Sequence, residues 1–280
     1  MPELVVMCGL SGSGKSYLAD KAEKELGYKV VSSDAIRAEF GDVNDQSHNP
    51  DVFRTFYKRM KKLLREKNNV IADATFLNLK DRRRLMREVN KVNDCKKIIV
   101  VVGRTFESCL KSNSQRDRVV PEEVIYSQRA KFQVPFYEEG WDEIDILKNP
   151  EYDIDHFIDK MDGFDQKNPH HDHDLLTHCK MTWNAYGQTA GALLHDYGKL
   201  FTQTFDEQGI AHYYHHESVG AYEVMTKCMG VNLDDLFLIN YHMMPFGWES
   251  DKAKRKWQQI FGDQKYKMLI DFHACDKEGK

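Results

Sequence analysis

The chain has no apolar run long enough to cross a bilayer as a helix, which excludes a role built on membrane-spanning helices. Its six cysteines (Cys8, Cys95, Cys109, Cys179, Cys228 and Cys275) form no CxxC pair and keep no regular spacing. They predict free thiols in a reducing compartment, not a disulfide framework. No basic stretch precedes the first apolar residues. MPELVVMCGL runs straight into a glycine loop and reads as a strand, not a signal peptide. The net charge of −4 argues against a protein that coats DNA. No internal repeat or low-complexity segment is evident. What remains is an ordinary globular composition over 280 residues, enough for two modest domains with separate cores.

Strand and helix patterns alternate through the first half. ELVVMC (3–8), Tyr28–Ser32, NVIAD (69–73), KIIVVV (97–102) and Ile144–Leu147 read as strands. Helices are expected at 16–26, 33–40, 50–67, 79–92, 106–115 and 122–133. The fourth strand is too β-branched for an exposed position and belongs inside a sheet. Alternation of this kind predicts an α/β domain over 1–150, a parallel sheet with helices on both faces. Basic residues crowd KRMKKLLREK and KDRRRLMR. Most read as solvated helix faces, with a minority available to line a path for an anionic polymer. A polar, acidic stretch from about 150 to 171 marks the junction. Beyond it only helices are expected, at 174–194, 215–229, 232–243, 250–261 and 263–277, giving an all-α domain over 165–280.

Residues 9–16 read GLSGSGKS, the GxxxxGKS pattern, directly after a strand and at a helix start. Gly9, Ser11, Gly12, Ser13, Gly14, Lys15 and Ser16 are therefore expected to hold the phosphates of ATP or another nucleoside triphosphate. Backbone N–H groups and the helix end supply the cradle. Lys15 reaches the β/γ-phosphates, and Ser16 ligates magnesium. Asp34 and Arg37 (SDAIR) and Asp73 (DATFLN) sit at the carboxyl ends of the next strands, where open parallel sheets gather their ligands. With NSQRDRVVPEEVI, these segments resemble the kinase domain of phage-type polynucleotide 5′-kinases over about residues 1–145. The resemblance implies Asp34 as the base that takes a proton from a 5′-hydroxyl. It implies Arg37 on the substrate phosphate and Asp73 in the acceptor site. Arg116 would sit on a lid that stabilises the transferring phosphate, with Arg118 as a second lid candidate. Those kinases carry an asparagine soon after the aspartate of the third strand, where this chain has Ala74-Thr75-Phe76; Thr75 or Asn78 is the available substitute.

The second half carries HDYGK at 195–199, with His178 upstream and His216, His242 and Asp276 downstream. Histidines and carboxylates without a thiolate suit Mn, Fe, Co, Ni, Zn or Mg in a catalytic setting better than a structural zinc. The pattern resembles the HD phosphohydrolase superfamily over about 165–280. That resemblance implies one metal on His178, His195, Asp196 and Asp276. A second would sit on His216 and His242, with Asp196 as the bridge and Lys199 on the substrate phosphate. Two such metals can generate hydroxide and clamp an in-line displacement. His215 is a rival to His216. His171 touches phosphate, or else His170, His171 and His173 form a surface cluster.

A 5′-kinase joined to an HD hydrolase implies an RNA end-healing enzyme of a bacterial or phage-infected cytoplasm. It would phosphorylate 5′-hydroxyl ends and hydrolyse 2′,3′-cyclic phosphate or 3′-phosphate ends for an RNA ligase acting downstream. No DxDx(T/V) nucleophile segment is present to serve as an alternative phosphatase. Two other readings remain open: a nucleoside or small-molecule kinase with an HD nucleotidase, and a nucleotide sensor that regulates the HD domain.

Overall fold

The computed structural model describes residues 1–41, 47–92, 94–169 and 172–278. The chain divides into two compact units, residues 1–125 with 139–147 and residues 126–138 with 148–280. Among the described residues no helix is long and apolar enough to cross a membrane.

The elements of the first half follow in the order β1 (Glu3–Cys8), α1 (Lys15–Leu26), β2 (Lys29–Ser32), α2 (Ser33–Glu39), α3 (Asn49–Arg65), β3 (Val70–Asp73), α4 (Leu79–Val89), β4 (Lys96–Gly103), α5 (Phe106–Ser114), α6 (Glu122–Ala130) and β5 (Glu143–Lys148). The sheet is five-stranded with order β2-β3-β1-β4-β5. β1 pairs in parallel with β3 on one side and β4 on the other, and β2 pairs in parallel with β3. Interior parallel strands must be apolar on both faces: Leu4, Val6, Val70, Ala72, Ile99 and Val101 are fully buried on one, and Met7, Ile71 and Val102 are buried on the other. Because β1, β2 and β3 run the same way, Cys8, Ser32 and Asp73 end on one edge of the sheet. Everything that follows those strands opens there.

Side-chain caps fix where the helices start. Ser32 Oγ accepts the Ala35 N–H at α2, and Asn78 accepts the Asp81 N–H at α4. Asn78 also donates to the Asp81 carboxylate, so both ends of its amide are engaged in the cap. Thr75 lends its carbonyl to the Gly9 N–H. The turn after β3 puts Phe76 at φ 40, a conformation that β-carbon sterics disfavour. Arg82, fully buried, holds it there. Its guanidinium donates to the Phe76 and Leu77 carbonyls and forms a bidentate pair with Glu139 at 2.7 and 2.8 Å. Many of the remaining basic residues are matched locally: Arg54 by Asp51, Arg59 by Glu39, Lys61 by Glu88 and Lys62 by Glu66.

The second unit contains α7 (Ile154–Met161), α8 (Leu175–Tyr186), α9 (Ala190–Leu194), α10 (Lys199–Thr202), β6 (Gln203–Phe205), β7 (Ala211–Tyr213), α11 (His216–Lys227), α12 (Leu233–Tyr241) and α13 (Asp251–Glu278). Gly262, at φ 71 and ψ 167, breaks α13 into the two helices expected from the sequence. Three features depart from expectation. Residues 126–138 belong to this unit and not to the first, because Phe132, Val134 and Phe136 are fully buried in it. Phe132 packs edge-on against Tyr222, and Phe136 edge-on against Phe237 and Tyr241 and tilted against Phe261. The expected junction holds a helix, α7, whose Phe157 and Met161 are also fully buried. The unit is also not all-α, since β6 and β7 form an antiparallel hairpin. Asp206 builds its turn, its Oδ1 accepting the N–H groups of Gln208 and Ile210 ahead of Gly209 at φ 77.

Candidate functional sites

The first site lies at the carboxyl edge of the sheet. Gly9, Gly12 and Gly14 all take positive φ between β1 and α1. Gly12 is required twice over: its φ is 82, and a β-carbon there would sit 2.2 Å from the Cys109 carbonyl oxygen of α5. The Lys15 ammonium is buried and donates to the Leu10 carbonyl at 2.7 Å. Burial pulls its pKa down, against the nearby Asp73 carboxylate. Ser16 Oγ donates to Asp73 Oδ2 at 3.0 Å. Burial raises the Asp73 pKa, with Lys15 and the Ser16 hydrogen bond opposing it. Ser13 Oγ is buried and has no partner among the described residues. This donor set fits a magnesium-bound triphosphate: a hydroxyl and a carboxylate side by side, a lysine, an orphaned hydroxyl and glycines that let backbone approach oxygen. Asp73 thus stands against the loop serine, where the resemblance implied an acceptor-site role.

Beside it, Asp34 Oδ1 accepts from Arg37 at 2.7 Å and Asp34 Oδ2 accepts from Arg118 at 2.9 Å. Arg37 is buried. It donates a second hydrogen bond to Asn49 Oδ1 at 2.7 Å, and its Nε has no partner among the described residues. The carboxylate itself is half exposed, so a hydroxyl can reach it. Arg118, not Arg116, is the arginine that meets Asp34. Arg116 is exposed on the same segment, and its charge opposes that of Lys15. The segment is pinned by buried Asn113, whose side chain donates to the Val120 carbonyl and accepts the Val120 N–H. Asn113 opens the NSQRDRVVPEEVI segment without having been given a role there, and Asn49 belongs to no segment singled out from the sequence.

The second site brings together all six expected ligands from α8, the α9–α10 turn, α11, the end of α12 and the end of α13. His178, His195, Asp196, His216, His242 and Asp276 are each buried. His178 Nε2 and His195 Nε2 lie 3.2 Å apart. Each is 3.2 Å from Asp276 Oδ1 and 3.4 Å from Asp196 Oδ2. His216 Nε2 and His242 Nε2 are likewise 3.2 Å apart, at 3.1 and 3.4 Å from the other oxygen, Asp196 Oδ1. Donor atoms around one ion with bonds of about 2.1 Å stand roughly 3.0–3.4 Å from each other.

The outward nitrogens explain why these contacts call for cations. The Nδ1 atoms of His195, His216 and His242 each lie 2.8 Å from a backbone carbonyl, those of Ala192, Tyr213 and Ile239. A carbonyl accepts only, so Nδ1 carries the proton and a neutral ring presents the Nε2 lone pair inward. Lone pairs facing lone pairs and carboxylate oxygens at about 3 Å repel unless a positive charge lies among them. Protons can supply that charge in the metal-free protein. Burial opposes protonation of His178, but Asp196 and Asp276 outweigh it and hold its pKa at about 9. His195 is also raised, while burial lowers His242. Burial opposes ionisation of Asp196, yet Lys199 and His195 keep it ionised far below its usual range. The two ligand groups that share Asp196 can each hold a metal ion.

Lys199 Nζ lies 2.6 Å from Asp196 Oδ2 and 2.8 Å from Gln166 Oε1. Gln166 carries no sequence signature and was not foreseen. His215 stands outside the ligand group, exposed at φ 62 just before α11. His173 is exposed, and His170 and His171 lie outside the described residues.

Residues 4–135 match the family model described as an AAA domain. Over 158 residues the chain is 28% identical to the L-seryl-tRNA(Sec) kinase of Methanococcus maripaludis, covering 55% of this chain and 61% of that protein. The match therefore spans less than two thirds of that relative's length. Among solved structures, a gluconokinase from Sinorhizobium meliloti 1021 aligns with a TM-score of 0.37 and 17% identity, over 52% of this chain and 82% of its own. The Pnkp1/Rnl/Hen1 RNA repair complex aligns with a TM-score of 0.41 and 22% identity, over 45% of this chain and 42% of its own. A fungal RNA kinase aligns with a TM-score of 0.42 and 12% identity, over 54% and 40%. Likenesses at this level say nothing of what this chain acts on. The family match, the parallel sheet and the glycine loop together give residues 4–135 the α/β P-loop kinase fold.

Proposed function

We propose that the chain heals RNA ends. Its first unit transfers the γ-phosphate of ATP to a 5′-hydroxyl, and its second, read as an HD-type phosphohydrolase, opens 2′,3′-cyclic phosphates and removes 3′-phosphates. The observation that carries this reading is Asp196, whose two oxygens are each shared with a different histidine pair. A bridging carboxylate between two histidine-lined positions suits a metal pair that activates water and receives a phosphodiester. Such a centre removes phosphate, whereas the glycine loop with Lys15 and Ser16 serves phosphoryl transfer. A break that leaves a 5′-hydroxyl and a 2′,3′-cyclic phosphate calls for both.

In the first unit the arrangement supports Asp34 as the base for the incoming hydroxyl. Arg37 and Arg118 hold its two oxygens, and the orphaned Arg37 Nε is available to a substrate phosphate. Lys15 and Arg116 would neutralise charge on the transferring group, and Ser16 and Asp73 would hold the magnesium. The curated relative is named for a tRNA substrate, which fits an RNA acceptor. In the second unit a divalent Mn, Ni, Co, Fe or Zn pair would supply the hydroxide, and Lys199 would meet the phosphate. The repaired ends would pass to an RNA ligase in the cytoplasm.

Separate substitutions test the division of labour. Asp34→Asn should abolish 5′ phosphorylation and leave 3′-end hydrolysis intact, and Asp196→Asn should do the reverse. Loss of both activities from either substitution would overturn the two-site reading.

A further inference from the structure

Lys199 is held in a way that its neighbours in sequence do not explain. Gln166 is only 2% exposed. Its amide Nε2 donates to the His173 carbonyl at 3.1 Å, which turns Oε1 toward the Lys199 ammonium at 2.8 Å. The reverse orientation would set an NH2 group against a cation, so the pair of contacts fixes which end of the amide faces the lysine. The backbone around Gln166 is tied to the β6–β7 hairpin. The Tyr213 hydroxyl donates to the Gln166 carbonyl, and the Ala211 N–H donates to the Lys167 carbonyl at 2.9 Å. Asn168 Nδ2 donates to the Ala211 carbonyl at 2.8 Å. The face of Tyr213 completes the enclosure, its ring centroid 5.4 Å from Lys199 Nζ.

The third contact of this ammonium, Asp196 Oδ2 at 2.6 Å, is of a different kind. That oxygen also belongs to the His178–His195 group, and the other oxygen belongs to the His216–His242 group. Metal ions held by these groups would draw on the Asp196 carboxylate, so its hold on Lys199 would weaken in the loaded centre. Gln166 hydrogen-bonds Lys199 from outside the His178–His195–Asp196 and Asp196–His216–His242 groups, so its hold would remain.

We propose that Gln166 is a positioning residue: it keeps the Lys199 ammonium beside the loaded metal centre, aimed at the phosphate oxygens of a bound phosphoester. This rests on reading the centre as a phosphohydrolase. It adds an element, the 165–168 strap, that lies outside the metal ligands. A neutral acceptor suits the task, because a carboxylate at 166 would neutralise the charge that Lys199 must offer to phosphate.

The test uses the full chain loaded with manganese, with bis(4-nitrophenyl) phosphate as substrate. Wild type, Gln166→Leu, Lys199→Ala and the double variant are compared, and manganese content is measured for each. Gln166→Leu is expected to lower kcat/KM about 10–100-fold, the scale of one hydrogen bond to a charged group, with manganese content unchanged. In the Lys199→Ala background the same substitution is expected to change kcat/KM less than about 2-fold, since the partner it positions is gone. Wild-type activity in Gln166→Leu overturns the inference while the hydrolase reading stands. So do fully additive effects, which would place Gln166 on a path independent of Lys199, and so does loss of manganese, which would make it a support of the metals themselves. A manganese-loaded wild type that cleaves neither this diester nor a 2′,3′-cyclic nucleotide overturns the hydrolase reading, and the inference falls with it.

Discussion

Replacing Asp196 with asparagine keeps the volume and removes the charge that the whole second site shares. In the metal-free protein that carboxylate faces the Lys199 ammonium at 2.6 Å and histidine nitrogens at 3.1 to 3.4 Å, with Lys199 only 5% exposed. Removing one partner of a buried ion pair strands the other, at a penalty of about 3–5 kcal/mol. Gln166 still accepts from Lys199 in the variant, so the lower end, about 3 kcal/mol, is the expected loss. With a urea slope of roughly 1–3 kcal/mol/M, the unfolding midpoint should fall by about 1–3 M. Tryptophan emission is a suitable probe, because Trp183, Trp248 and Trp257 all lie in the second unit. Bound manganese, measured on the same samples after loading, should fall sharply, since both histidine pairs lose the carboxylate that they share. An unchanged midpoint together with unchanged metal content would refute the reasoning, because Asp196 could then be neither the counter-charge nor the bridge.

Gly12→Ala should abolish nucleotide binding by the first unit, as the new methyl would meet the Cys109 carbonyl at 2.2 Å and the backbone is at φ 82; it should also destabilise that unit by about 1–3 kcal/mol. Calorimetric titration with ATP and magnesium checks the first effect, and retained binding would show that α5 does not press on the loop as described. The pH dependence of metal uptake follows from His178, whose pKa is raised from 6.5 to about 9 in the metal-free protein. Its protonated form contributes stability that is fully present below pH 6.5 and lost as pH rises through about 9. A metal takes the neutral ring, so loading in that window should release protons, and affinity should rise about tenfold per pH unit for each proton displaced. Manganese titrations in buffers of different ionisation enthalpy report the proton count, and a count of zero near pH 7.5 would contradict the charge assignment.

How much of this was legible in the sequence depends on whether a residue's task is local. GLSGSGKS is contiguous, and the strand before it and the helix after it are read from the same twenty residues. The ends of β2 and β3 follow from short apolar runs, and with them Asp34, Arg37 and Asp73. The six ligands of the second site were legible as residue types in an apolar setting, although only the fold shows that Asp196 faces both histidine pairs. The roles of Gln166, Asn49 and Asn113 were not legible, because a lone amide, whether in a loop like Gln166 or at a helix end like Asn49 and Asn113, has no periodicity to show which partner it will meet. The β6–β7 hairpin escaped notice since strands of three residues are shorter than the alternation pattern needs, although Asp206 and Gly209 are ordinary turn residues. The assignment of 126–138 to the second unit rests on Phe132 and Phe136 meeting Tyr222 and Phe237, partners about a hundred residues away. No window along the chain contains that information.

The most direct measurement takes an RNA oligomer bearing a 5′-hydroxyl and a 2′,3′-cyclic phosphate. It is incubated with the protein, ATP, magnesium and a manganese or nickel salt, and both ends are analysed by mass. The expected result is one phosphate gained at the 5′ end and the cyclic phosphate opened and removed at the 3′ end. An RNA left unchanged at both ends, while ATP or free nucleotides are consumed, would contradict end healing and move the substrate to a small molecule or the role to nucleotide sensing.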